Sequence, residues 1–175
     1  MNGLAYLVVA LVATQRVLEL QYARRNTGAL IRRGAVEFGR GHYPFIVALH
    51  AAWLAAILFA LPAHVSIGWP WLTAFALLQM GRIWVIASLK SLWTTRIITL
   101  PGEPLVRRGP YRLLRHPNYL IVVLEIAVLP TAFGEYAIAA IFSLLNAALL
   151  GWRIREEERA LRSRRDLMAD PTGFA

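Results

Sequence analysis

Apolar residues in this chain come in long, nearly unbroken runs rather than in the alternating or three-to-four-residue stripes of a water-soluble fold. Five runs, at roughly 3–22, 44–62, 70–90, 117–133 and 136–152, approach the ~20 helical residues that cross a hydrocarbon core. The pattern predicts an all-α integral membrane protein with about five transmembrane helices. Pro62 and Gly68-Trp69-Pro70 punctuate the connection after the second run, and Pro130 with Gly134 allows a tight turn that makes the last two runs a hairpin. Glu125 and Asn146 interrupt the fourth and fifth runs, which are also a little short. The first run lacks a basic start and continues into Gln15, Arg16 and Glu19 without a cleavage site, so it reads as a retained anchor.

The polar connections orient these spans. Segment 23–43 carries Arg24, Arg25, Arg32, Arg33 and Arg40, segment 91–116 carries Arg96, Arg107, Arg108, Arg112 and Arg115, and the tail carries Arg153, Arg155, Arg159, Arg162, Arg164 and Arg165. Connections 63–69 and 134–135 carry neither lysine nor arginine. Basic residues are retained on the cytoplasmic side, so the N-terminus is expected outside and the C-terminus in the cytoplasm. Composition agrees with a membrane protein: 58% of the residues are hydrophobic, 17% are charged and mean hydropathy is +0.50. The net charge of +9 lies beside the apolar runs, where anionic lipid rather than nucleic acid is the natural partner. Cysteine is absent, which excludes disulfides, thiolate metal sites and sulfur nucleophiles; no metal site is expected. The preference for arginine, with Lys90 the single lysine, fits a GC-rich bacterial genome and hence an inner-membrane location.

Polar side chains inside the runs face protein, water or ligand, because lipid cannot solvate them. Arg16, Glu19, His50, Gln79, Arg82, Glu125 and Asn146 form this set. Counting ~1.5 Å per residue, His50, Arg82, Glu125 and Asn146 lie at about one depth, 9–12 Å inside the cytoplasmic boundary. A polar cavity open to the cytoplasm is expected, against the plainer alternative of isolated interhelical hydrogen bonds and an Arg16–Glu19 pair.

Two motifs border that cavity. In the first, His116-Pro117-Asn118-Tyr119 follows a loop dense in turn formers, and Pro117 suits the first turn of a helix, leaving backbone donors free for an anionic group. In the second, Arg153-Ile154-Arg155-Glu156-Glu157-Glu158-Arg159 follows the last run; its carboxylates can hold an ammonium or a nearby cation, or be merely a solvated mixed-charge helix. The stretch from Glu103-Pro104-Leu105-Val106 through Gly109-Pro110-Tyr111-Arg112 to His116-Pro117-Asn118-Tyr119, followed by Arg153 and Glu156-Glu157-Glu158, resembles the C-terminal core of isoprenylcysteine carboxyl methyltransferases and their bacterial relatives. The likeness runs from about residue 80 to 162. Many family members have glycine two residues after the motif tyrosine, where this chain has Leu120-Ile121.

The resemblance implies S-adenosylmethionine as cofactor, bound by Glu103, Pro104, Leu105, Val106, Tyr111, His116, Pro117, Asn118 and Tyr119 and closed over by Glu157. It also implies that Arg153 meets the anionic end of the acceptor, so that Arg153 and Glu157 carry the catalysis. Arg82, Glu125 and Asn146, from their place inside the apolar runs and not from the resemblance, are expected to line the acceptor's path. The chain is then a single membrane domain, 1–175, with N-terminal helices over 1–80, a methyltransferase core over 81–162 and a tail over 163–175. The expected reaction moves a methyl group to a carboxylate or acidic hydroxyl of a lipophilic or prenyl-type acceptor dissolved in the bilayer. The alternatives are N-methylation of a phospholipid headgroup, and a non-enzymatic membrane subunit that docks a partner through its basic loops.

Overall fold

The computed structural model describes residues 2–62, 64–100 and 106–169. Five α-helices dominate: α1 (Asn2–Arg32), α2 (Tyr43–Ala60), α3 (Trp69–Leu89), α4 (Pro117–Ala132) and α5 (Tyr136–Ala169). Proline stands in the first turn of α2, α3 and α4, where its missing N–H is no loss. Gly34 (φ +87°) and Gly134 (φ +82°) end α1 and α4 in the same way. In each, two N–H groups turn back onto the last carbonyls: Ala35 on Leu30 and Gly34 on Ile31, then Glu135 on Pro130 and Gly134 on Thr131.

The chain is an α-helical integral membrane protein. Its helices carry large apolar side chains on their outer faces, with Phe59 85%, Leu144 74% and Met80 66% exposed, a surface that lipid and not water accommodates. The segments Gly3–Arg32, Tyr43–Ala60, Trp69–Leu92 and Tyr136–Ala160 are long and apolar enough to cross a membrane. The 16-residue α4 rises only about 24 Å against a hydrocarbon core of about 30 Å, so the fourth run makes a helix shorter than a full span. Helices α1 and α5 extend well beyond the ends of their apolar runs. No proline falls between Ala23 and Arg32 and the helix runs through Gly28, so the change from apolar to polar side chains marks the edge of the lipid and not the end of the helix.

A feature absent from the sequence reading is a two-stranded antiparallel sheet of β1 (Val36–Phe38) and β2 (Ile97–Thr99), with Glu37 opposite Ile98. Each strand is three residues long, too short to leave an alternating pattern. Arg96 donates to Glu37 at 2.8 Å and Arg40 lies 3.3 Å from the same carboxylate, which ties the pair together. The sheet, residues 90–100 and 106–116 of the connection after α3, and the polar half of α5 share one end of the bundle. The arginine-free connections share the other, where the Gly68 N–H donates to the Ala132 carbonyl at 2.8 Å and Ala5 and Val9 belong to one buried cluster with Leu61, Val65 and Phe133.

Between these ends, charged side chains clamp α1 to α3 and α4. Arg82 donates from Nε to both oxygens of Glu19, at 2.8 and 3.0 Å, and from Nη1 to Glu125 at 2.9 Å. Arg16 reaches the same two carboxylates, at 2.8 Å to Glu19 and 3.2 Å to Glu125. Gln15 and Gln79 complete the set with amide donations to Glu19 and Glu125. Two guanidiniums thus neutralise two carboxylates, the condition under which buried charges are tolerated.

Candidate active site

Two cavities meet at the N-terminus of α4. The outer one, about 570 Å³, lies at the arginine-rich end of the bundle, and its wall includes Val106, Tyr111, His116, Asn118, Tyr119 and Glu157. These are six of the residues that the sequence assigned to a cofactor. Pro117 is buried and does not reach the wall; it fixes the turn from which its neighbours project. Glu103, Pro104 and Leu105 lie outside the described residues. The inner cavity, about 400 Å³, sits among the helices, and Arg16, Glu19, His50, Arg82 and Asn146 all lie on its wall. Most of the intramembrane polar set therefore converges on one space. Glu125 and Gln79 stand behind that wall, with the Glu125 carboxylate occupied by Arg16, Arg82 and Gln79.

Trp93, Thr94, Asn118, Tyr119 and Arg153 line both cavities and form the passage between them. Arg153 is held at two points: Nε donates to the Tyr119 hydroxyl at 2.9 Å and Nη1 to the Thr95 carbonyl at 2.9 Å, leaving Nη2 without a hydrogen-bond partner among the described residues. The Tyr119 hydroxyl in turn donates to Glu157 Oε2. Arg153 and Glu157, one helical turn apart on α5, are thus joined through Tyr119. Its ring lies under the Arg153 guanidinium at 5.4 Å and stacks on His116 at 5.0 Å, with the planes 7° apart. His116 Nδ1 stands 3.9 Å from Glu157.

Donors and acceptors without partners mark where a polar ligand fits. Asn118 Oδ1 and Trp93 Nε1 are buried at the passage with no hydrogen bond. In the first turn of α4, Pro117 has no N–H, and Tyr119 and Leu120 both reach back to the His116 carbonyl, so the Asn118 N–H is the main-chain donor that remains. Burial pushes the Tyr111 hydroxyl up to about 12, with Glu157 adding to the effect, so Tyr111 donates hydrogen bonds and does not act as a base near neutral pH.

Sequence reasoning named Asn118, Tyr119 and Arg153 but missed Trp93 and Thr94 and the residues that hold the passage in place. Asn26 on α1 donates to the carbonyls of Lys90 (3.2 Å) and Trp93 (2.9 Å), holding Lys90 at φ +51° and presenting Trp93 and Thr94 to both cavities. Tyr43 reaches across from α2 to Thr95 Oγ1 at 3.2 Å. Asn26 sits in a polar stretch of α1 where nothing in the spacing distinguishes it. Gly109 (φ +57°) has a local cause, since a Cβ there would lie 2.1 Å from Ser88 Oγ, and it sets the turn that carries Tyr111. The Leu120-Ile121 departure falls away from the ligand walls: Ile121 packs toward Gly81 of α3 and Leu120 is exposed.

Comparison with known proteins bears on the same half of the molecule. The model of the isoprenylcysteine carboxyl methyltransferase (ICMT) family matches residues 71–163, which hold α3 from Trp71 onward, α4, the passage residues from Trp93 to Arg153, and Glu157. The chain is 38% identical over 160 residues to an uncharacterised protein of Bacillus subtilis, YpbQ, covering 89% of this chain and 95% of that one. It is 27% identical over 157 residues to an uncharacterised protein of Haemophilus influenzae (87% and 91% covered). It is 33% identical over 112 residues to the cobalt-zinc-cadmium resistance protein CzcN of Cupriavidus metallidurans (63% and 50% covered). No solved structure matches. With both motifs inside the matched segment and facing one pair of cavities, the chain belongs to the isoprenylcysteine carboxyl methyltransferase family.

Proposed function

We propose that this membrane methyltransferase uses S-adenosylmethionine and transfers its methyl group to an oxygen, carboxylate or acidic hydroxyl, of a lipophilic acceptor that enters from the bilayer. The observation that carries this reading is the pair of cavities sharing Asn118, Tyr119 and Arg153. One opens among polar loops as a soluble cofactor requires, and the other lies among apolar helices as a lipid requires.

The side chains present fit the cofactor's groups. Glu157 supplies a carboxylate for its ammonium, and His116 with the Asn118 N–H supplies donors for its carboxylate. Val106, Leu89 and Ile97 give an apolar wall for its adenine, and the unpartnered Asn118 Oδ1 and Trp93 Nε1 await polar atoms at the passage. When bound, the cofactor supplies a methyl group on a positively charged sulfur. The protein's own part is positional. Arg153, anchored by Tyr119 and Thr95, offers Nη2 to the acceptor oxygen and holds it at the passage. Glu157 is oriented by the hydrogen bond it accepts from the Tyr119 hydroxyl, and the apolar residues around the inner cavity exclude water. A carboxylate acceptor needs no general base. The active site then faces the cytoplasm of a bacterial inner membrane, where the positive-inside distribution puts the arginine-rich end.

The test is to incubate purified protein with methyl-labelled S-adenosylmethionine and a bacterial lipid extract. Label extracted into a lipid fraction by the wild type, and reduced at least tenfold by Arg153→Ala, supports the assignment; no label above a boiled control contradicts it.

A further inference from the structure

The inner cavity is not uniformly apolar, and its far end has a composition that a plain hydrocarbon chain does not explain. Tyr43 on α2 and Arg153 on α5 both bond Thr95 and so stand at one level, at the passage. His50 and Asn146 lie on the same two helices and on the same cavity wall, at positions 43 to 50 and 153 to 146. Each is two helical turns further in, about 10 Å from the passage. Between the two levels the wall is apolar, with Ile46, Val47 and Leu149.

The deep polar pair is open to a ligand. His50 Nδ1 stands 2.8 Å from the Ile46 carbonyl and must donate to it, which leaves the lone pair of Nε2 without a hydrogen-bond partner among the described residues. Asn146 is 94% buried (6% exposed), lines the cavity, and its amide makes no hydrogen bond to any described residue. Hydrocarbon packed against these two groups would leave an acceptor and an amide unsatisfied. A charged group would find no counter-ion either, because Arg16 and Arg82 are already neutralised by Glu19 and Glu125 on the same wall.

The geometry points to an inner subsite, His50 with Asn146, that selects acceptors carrying an uncharged hydroxyl about 10 Å from the methylated oxygen. A hydroxyl is the simplest group that can both donate to His50 Nε2 and accept from the Asn146 amide. The subsite rests on the methyltransferase reading, since the inner cavity is taken there to hold the acceptor. It adds a selection rule: an acceptor with an unsubstituted hydrocarbon chain is a poor substrate for this chain.

The probes are octadecanoic acid and its mid-chain hydroxyl derivative, each titrated in detergent into the full-length protein saturated with S-adenosylhomocysteine. The wild type is expected to bind the hydroxy acid about tenfold more tightly. His50→Phe and Asn146→Leu are each expected to reduce that preference to about twofold or less, with binding of S-adenosylhomocysteine unchanged. His50→Gln, which keeps an acceptor, should retain part of the preference. Equal affinity of the wild type for the two acids overturns the subsite and leaves its polar groups to water. A preference that survives both variants overturns its assignment to His50 and Asn146. Failure of the wild type to bind S-adenosylhomocysteine overturns the methyltransferase reading instead, so the two failures are distinct.

Discussion

Arg82 joins three helices through one buried side chain. Its guanidinium meets Glu19 of α1 and Glu125 of α4 at once, and it is itself buried. Arg82→Ala leaves two carboxylates with only Arg16 between them, and a broken buried pair is worth about 3–5 kcal/mol. Thermal unfolding in detergent should show a large loss of stability, greater than that of Arg40→Ala, whose side chain is 76% exposed. At the outer cavity, His116→Ala removes a ring that stacks on Tyr119 and lines the cavity wall. It is expected to weaken S-adenosylhomocysteine by about tenfold or more, the equivalent of one lost polar or charged hydrogen bond at about 1.5–3 kcal/mol; unchanged affinity in a folded variant removes His116 from the site. Tyr111, whose hydroxyl is pushed up to about 12, stays protonated throughout the ordinary working range. Stability linked to its proton is fully present below about pH 10, the ordinary tyrosine value, and is lost only as pH rises through about 12. Tyr111→Phe should therefore leave the shape of an activity profile between about pH 6 and 9 unaltered.

At the scale of elements, two left-handed glycines make a paired prediction. A Cβ at Gly134 meets nothing within 4 Å, so Gly134→Ala strains only the backbone, at about 1–2 kcal/mol. At Gly109 the added Cβ would strike Ser88 and also approach Trp84, so Gly109→Ala should displace the 109–112 turn, and Tyr111 with it. Cofactor affinity should fall in the second variant and not in the first. These turns and the proline-led start of α4 were legible in the sequence, because Gly and Pro act through local backbone geometry. The ends of α1 and α5 were not legible, because hydropathy reports where lipid stops while a helix stops only at a breaker or a cap. The β1–β2 pair was hidden for another reason: its register joins residues 36 and 99, a contact that no local pattern encodes.

Over the whole molecule, the site is assembled from both halves of the chain. The family match begins at residue 71, yet Arg16, Glu19, Tyr43 and His50 line the inner cavity, Asn26 holds the passage and β1 backs the strand of the outer wall. The two motifs were visible in the sequence because each is contiguous. The passage was not, since Trp93, Thr94 and Asn26 acquire their places only when α1 packs on the turn after α3. Asn26→Leu should accordingly lower turnover with little change in the membrane-embedded core, read as lost activity in a protein of nearly wild-type melting temperature. The orientation makes a further prediction: a tag placed within 63–69 reacts with impermeant reagent added outside intact cells, and a tag at the C-terminus does not. Labelling in the reverse sense would overturn the proposed orientation. The central claim is that the outer cavity binds the methyl donor through α5 while the same helix holds the acceptor one turn away. Its most direct test is calorimetric titration of S-adenosylhomocysteine into the detergent-solubilised wild type, Glu157→Gln and Arg153→Ala. The expected result is one equivalent bound by the wild type, affinity about tenfold weaker for Glu157→Gln and within a few-fold of wild type for Arg153→Ala. No binding by the wild type, or the same affinity for all three proteins, would contradict it.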